Sequence, residues 1–106
     1  MNFQITEKTA HRLIEFRDAR EWQKYHTFGE LSRAIAIEAG ELSECHLWGK
    51  VFDEPKARKE AADVAIFLFY YCHKMNIDLD SVVNGAINQN EKNYPLSNGD
   101  RPDRDK

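Results

Sequence analysis

The stretch AADVAIFLFYYC, residues 61–72, contains a single charge, Asp63. It lacks the alternation of a half-buried strand and falls well short of the ~20 apolar residues that a membrane span needs. Read as a helix, it is apolar nearly all round, and a helix of that kind must be covered on several sides. One small domain has difficulty covering it, so the run itself predicts a subunit interface. Asp63 constrains the chain further. A carboxylate set into an apolar surface is costly unless it is paired or binds a cation.

Asp63 has companions. Glu60 stands three residues before it, and Glu38 and Glu41 repeat the spacing. On a helix that step places both acids on one face, about a turn apart. Stepping back from Glu38 and Glu41 by threes and fours gives Leu31, Ala34 and Ile35. Stepping forward gives Leu42, Cys45 and Trp48. Four acids on two apolar helix faces point to one shared cation site, and oxygen-only ligands favour Mg²⁺ or Mn²⁺ over zinc. Glu44 continues the series but is rotated about 120° from Glu38, and reads as a surface residue. Lys74 follows Glu60, Asp63, Phe67 and Tyr70 by steps of three and four. It can meet a phosphate, or simply be a solvated cation at a helix end.

Two other metal chemistries fail on spacing. Cys45-His46 and Cys72-His73 are neighbours about 100° apart on a helix and cannot converge on one zinc ion. None of the four histidines stands three residues after a glutamate, as a di-iron carboxylate bundle requires.

The remaining punctuation divides the chain into four helices. Thr6 caps the first, over residues 6 to about 21, with Ala10, Leu13, Ile14 and Ala19 inward. Trp22 to Thr27 is an aromatic connection. Thr27-Phe28-Gly29-Glu30 fits a capping box that opens a second helix, running to about Trp48 and stopped by Gly49. Asp53 or Glu54 caps a third, with Pro55 in its first turn and its end near Met75. Asp78 or Asp80 caps a fourth, ending near Asn93 before Tyr94-Pro95. No strand-like alternation appears. The expectation is an all-α antiparallel bundle of four main helices, formed by residues 1–95 as one domain, with residues 96–106 as a disordered polar tail.

Composition narrows the function. The net charge of −3 and the absence of a basic stripe argue against a nucleic-acid surface. They leave room for a nucleotide whose charge a metal neutralises. Cys45 and Cys72 read as buried free thiols in a reducing compartment. Met1 to Thr9 has no apolar core of a signal peptide, so the expected location is the cytoplasm, with no membrane partner.

Taken together, these residues resemble the MazG-like, all-α nucleoside triphosphate pyrophosphohydrolases, whose pattern is EExxE, a spacer, then ExxD. Glu38 and Glu41 match the later acids of the first part, residues 42–59 form the spacer, and Glu60 and Asp63 complete it. Ile37 replaces the first glutamate. The resemblance extends from about residue 16 to Pro95 and is closest to the dCTP pyrophosphatase branch. It implies that Trp22, His26 and Trp48 frame the base and sugar of a nucleoside triphosphate. The ending Asn90-Glu91-Lys92-Asn93-Tyr94-Pro95 resembles the family's NxxxYP, which adds Asn90 and Tyr94. Phe67 stands where that branch often has tyrosine, so a hydroxyl near the sugar is lost. The implied reaction yields monophosphate and pyrophosphate, with Mg²⁺ on Glu38, Glu41, Glu60 and Asp63. Glu38, with Glu41 beside it, is assigned the proton of the attacking water. The implied assembly is a homodimer or a dimer of dimers, and the implied role is house-cleaning of the nucleotide pool. The alternative is a non-catalytic helical interaction module with a degenerate acidic site.

Overall fold

The computed structural model describes residues 3–49 and 51–96. The expected disordered tail lies outside these residues, apart from Leu96. The described chain is all-helical: α1 (Glu7–Ala19), a 3₁₀ turn (Trp22–Tyr25), α2 (Phe28–Glu44), α3 (Glu54–Met75) and α4 (Leu79–Asn93). No strand occurs among the described residues. The helices fall into two units, one carrying α1 to α3 and one carrying α4.

Three of the expected capping residues do what their chemistry predicts. The Thr6 hydroxyl accepts from the Thr9 N–H at 3.3 Å, and Thr27 accepts from the Glu30 N–H at 3.1 Å. Asp53 Oδ1 accepts from the Lys56 N–H at 3.1 Å and so starts α3 ahead of Pro55. Each bond satisfies one amide that a helix start leaves without a partner. Asp78 is the N-cap of α4, but its carboxylate makes no capping bond and accepts instead from the Ser81 hydroxyl at 2.8 Å.

Two boundaries correct the sequence reading. The first helix stops at Ala19, which is exposed, and Glu21 takes a left-handed φ of 55°. The second helix ends at Glu44, not near Trp48. Beyond Glu44 the amides of Cys45, His46 and Leu47 bond three residues back, which tightens the chain out of α geometry. Trp48 and Gly49 then both lie in the left-handed region, at φ 60° and 65°. The glycine expected to stop the helix closes a turn that begins earlier.

Within the first unit, α2 and α3 are the main packing partners. They run antiparallel: Phe28, at the start of α2, meets Tyr71, near the end of α3, with ring centroids 5.4 Å apart. Glu38 meets Glu60 further along. Leu31, Cys45, Tyr70 and Cys72 form the buried core, and both thiols are free. Helix α1 is tied to α3 by the Tyr70 hydroxyl, which donates to the Leu13 carbonyl at 2.8 Å. Along 61–72 only Tyr70 and Cys72 are buried, while Val64 and residues 66–69 are half-buried and Ala61, Ala62 and Ala65 are exposed. Within the unit of α1 to α3, most of this run is therefore less than fully buried.

Candidate active site

The antiparallel pairing of α2 and α3 brings the middle of one helix against the first half of the other. One carboxylate oxygen each from Glu38, Glu60 and Asp63 lie within 4.8 Å of one another. Glu60 is 4% exposed, the one buried charged residue among those described. One oxygen of Glu38 and one of Glu60 are buried with no hydrogen-bond partner. Two carboxylates facing each other without a donor between them invite a proton or a cation. Glu38 shows the consequence. The nearby Glu60 carboxylate, then burial, then Glu41 push its pKa up to about 7.

Glu41 lies close enough to act on Glu38, but it is exposed and outside the three-carboxylate group. Lys59 reaches the group from its own helix. Its ammonium is 2.9 Å from Asp63 Oδ2 and 3.7 Å from Glu60 Oε1. The hydrogen bond to Asp63, and the charges of Asp63, Glu60 and Glu38, raise the pKa of Lys59.

Beside the acids lies a cavity of about 380 Å³, lined by Thr9, Arg12, Leu13, Phe16, Trp22, His26, Asp63, Ile66, Phe67 and Tyr70. That volume is in the range of small-molecule sites. Asp63 belongs to both the cavity and the carboxylate group, so the two are continuous. Trp22 is set against Phe16 edge-to-face at 5.5 Å, and the Arg20 guanidinium lies 3.7 Å from the Phe16 ring centre. The His26 ring rests on Tyr70 at 5.1 Å, and its Nδ1 is buried without a partner. Burial and the charge of Arg17 hold the His26 pKa below its usual value.

Of the residues singled out in the sequence, Trp22, His26, Phe67 and Asp63 meet in this cavity. Trp48 stands 90% exposed on the turn after α2 and is not part of the lining. Lys74 lies with its ammonium 5.1 Å from the Phe28 ring centre, eleven residues or ~16 Å along α3 from Asp63. Asn90 and Tyr94 belong to the α4 unit, where the Asn90 carbonyl accepts from the Tyr94 N–H at 2.8 Å. Sequence reasoning missed the contribution of α1, namely Thr9, Arg12, Leu13 and Phe16. Leu13 and Phe16 carried a signal in their helical spacing, but Thr9 and Arg12 carried none. Lys59 was legible as a partner four residues before Asp63.

An all-helical scaffold that gathers carboxylates from ExxE and ExxD segments beside an aromatic cavity defines a class of small helical acid-site proteins. No family model matches the chain. Rat (Rattus norvegicus) dCTP pyrophosphatase 1 is 30% identical over 92 residues, which cover 77% of this chain and 54% of the relative. The human (Homo sapiens) protein of the same name is 29% identical over 92 residues, covering 76% and 54%. The chain thus spans about half the length of these curated relatives. The crystal structure of a pyrophosphatase from Archaeoglobus fulgidus superposes with a TM-score of 0.77 at 33% identity, over 90% of this chain and 98% of that one. The chain belongs to the MazG-like all-α nucleoside triphosphate pyrophosphohydrolase family.

Proposed function

We propose that the chain hydrolyses a (deoxy)nucleoside triphosphate, dCTP or a related dNTP, to the monophosphate and pyrophosphate. Mg²⁺, or Mn²⁺ in its place, is held by Glu38, Glu60 and Asp63, with Glu41 at the rim. The observation that carries this reading is the convergence of three carboxylates within 4.8 Å, next to an aromatic-lined cavity that shares Asp63 with them. The donor set suits a hard cation, because it is all oxygen, and Glu38 and Glu60 each carry a buried oxygen without a partner. A bound divalent ion supplies charge to offset the triphosphate and lowers the pKa of an attacking water.

The chain's own residues divide the remaining work. Glu38, which carries a buried oxygen without a hydrogen-bond partner, takes the water's proton with whatever capacity the ion leaves unsaturated. Trp22 and Phe67 offer apolar faces for a base. His26, kept neutral, presents Nδ1 to a sugar hydroxyl or phosphate. Arg12 adds a positive charge to the cavity wall. The family resemblance, not the cavity lining, assigns Trp48, Asn90 and Tyr94 to the substrate, and Lys74 is offered to a phosphate by its helical spacing alone.

The less than fully buried flank of α3 supports packing of a second copy there, as a dimer or a dimer of dimers. No helix among the described residues is long and apolar enough to cross a membrane; the proposed role is cleaning of the nucleotide pool in the cytoplasm. The reaction is tested with a panel of triphosphates and Mg²⁺ in heavy-oxygen water. Heavy oxygen in the monophosphate is expected, because the water attacks the α-phosphorus. Label in free phosphate, or no turnover of any triphosphate, overturns the reading.

A further inference from the structure

We propose that Lys59 is an internal counter-cation of the carboxylate site. Its ammonium holds Asp63 and Glu60 in the metal-free protein, the entering divalent ion displaces it, and it thereby sets the ion concentration at which the site loads. The inference rests on the metal site proposed above and adds a competitor to it.

The geometry is specific to Lys59. Its ammonium lies 2.9 Å from Asp63 and 3.7 Å from Glu60, two of the three acids whose oxygens converge. Arg58, the next cation along the helix, is turned to Glu54 at 3.1 Å and takes no part. A lysine ammonium is a compact point charge on a flexible stem, suited to occupying a cation position and leaving it. The Lys59 side chain is 69% exposed, so it can swing into water when a divalent ion arrives. Glu60 and Asp63 are far less exposed, at 5% and 27%, and cannot exchange their partner for solvent as readily. The same two carboxylates, Glu60 and Asp63, cannot serve the ammonium and a dehydrated cation at full strength. By linkage, whatever free energy Lys59 gives the metal-free state is subtracted from metal binding.

The test compares wild type, Lys59→Gln, Lys59→Met and Arg58→Gln by calorimetric titration with Mn²⁺. Thermal melts in chelator and in saturating Mn²⁺ accompany it. Lys59→Gln is expected to melt lower than wild type in chelator and to recover the difference in Mn²⁺. Its Kd for Mn²⁺ is expected to tighten by roughly three- to fivefold, the size of one partly exposed ion pair. Lys59→Met reports the same change should the glutamine variant fold poorly. Four results overturn the proposal. A stability deficit that persists in Mn²⁺ with unchanged Kd marks an ordinary surface ion pair. A weaker Kd places Lys59 in the loaded site. Equal tightening by Arg58→Gln reduces the effect to overall charge. Absence of Mn²⁺ binding by wild type removes the proposed metal site, and the competitor with it. In the first three results wild type still binds Mn²⁺, so the metal site survives them.

Discussion

At the scale of single residues, the site is built from a conflict. Glu60 is buried on α3 with an oxygen that finds no donor, and Glu38 faces it in the same condition. The conflict should be visible in the pH dependence of stability. The folded pKa of Glu38 is raised to about 7 from an ordinary 4.5. Between those values the native state binds more protons than the unfolded chain, so stability falls as pH rises. Melts in chelator are therefore expected to show Tm dropping as pH climbs through this window. Saturating Mg²⁺ should flatten the drop, because the ion takes the place of the proton. A metal-free Tm that rises across the window would contradict the site geometry. Trp22, which lines the cavity, is the second residue whose proposed role can be tested singly. Stacking on an indole contributes ~1–3 kcal/mol, so Trp22→Ala should raise KM by about tenfold with a smaller effect on kcat. An unchanged KM would move the base out of this cavity.

At the scale of helices, the caps and the apolar faces were the most legible part of the sequence. Thr6, Thr27 and Asp53 each make the amide contact that their position predicted. Thr27→Ala should cost about 1 kcal/mol of stability, measured by denaturant melts. The end of α2 was less legible. Gly49 signals a stop, but nothing in the sequence shows that Trp48 also takes a left-handed φ. Trp48 therefore leaves the helix face on which it was counted. The carboxylate group was legible because ExxE and ExxD fix relative positions within each helix. Which of the four acids would meet depended on how α2 and α3 slide past each other, and periodicity does not report that. The cavity wall from α1 was legible only in part: Leu13 and Phe16 follow the helical spacing, but their place against α3, marked by the bond from the Tyr70 hydroxyl to the Leu13 carbonyl, is a long-range matter. Tyr70→Phe should cost about 1 kcal/mol and raise KM by loosening α1 against the cavity. Wild-type KM in that variant would show that α1 is held by other contacts.

At the scale of the whole molecule, the same apolar run both positions Asp63 and stays, for the most part, less than fully buried within the unit of α1 to α3. A second copy over α3 would cover it, and sedimentation equilibrium at micromolar protein should find a dimer or larger assembly. A folded, active monomer of 12.4 kDa would leave the exposed flank without that explanation. The proposed function requires the carboxylates of α2 and α3 to gather one divalent ion for pyrophosphohydrolysis. Pyrophosphate release from dCTP and related dNTPs, measured with Mg²⁺ for wild type and Glu60→Gln, tests it most directly. Wild type should release pyrophosphate in Mg²⁺ and not in chelator. Glu60→Gln should lose about a hundredfold or more of that rate while keeping its helical circular dichroism. Full activity in folded Glu60→Gln, or equal wild-type release in chelator, would contradict the claim.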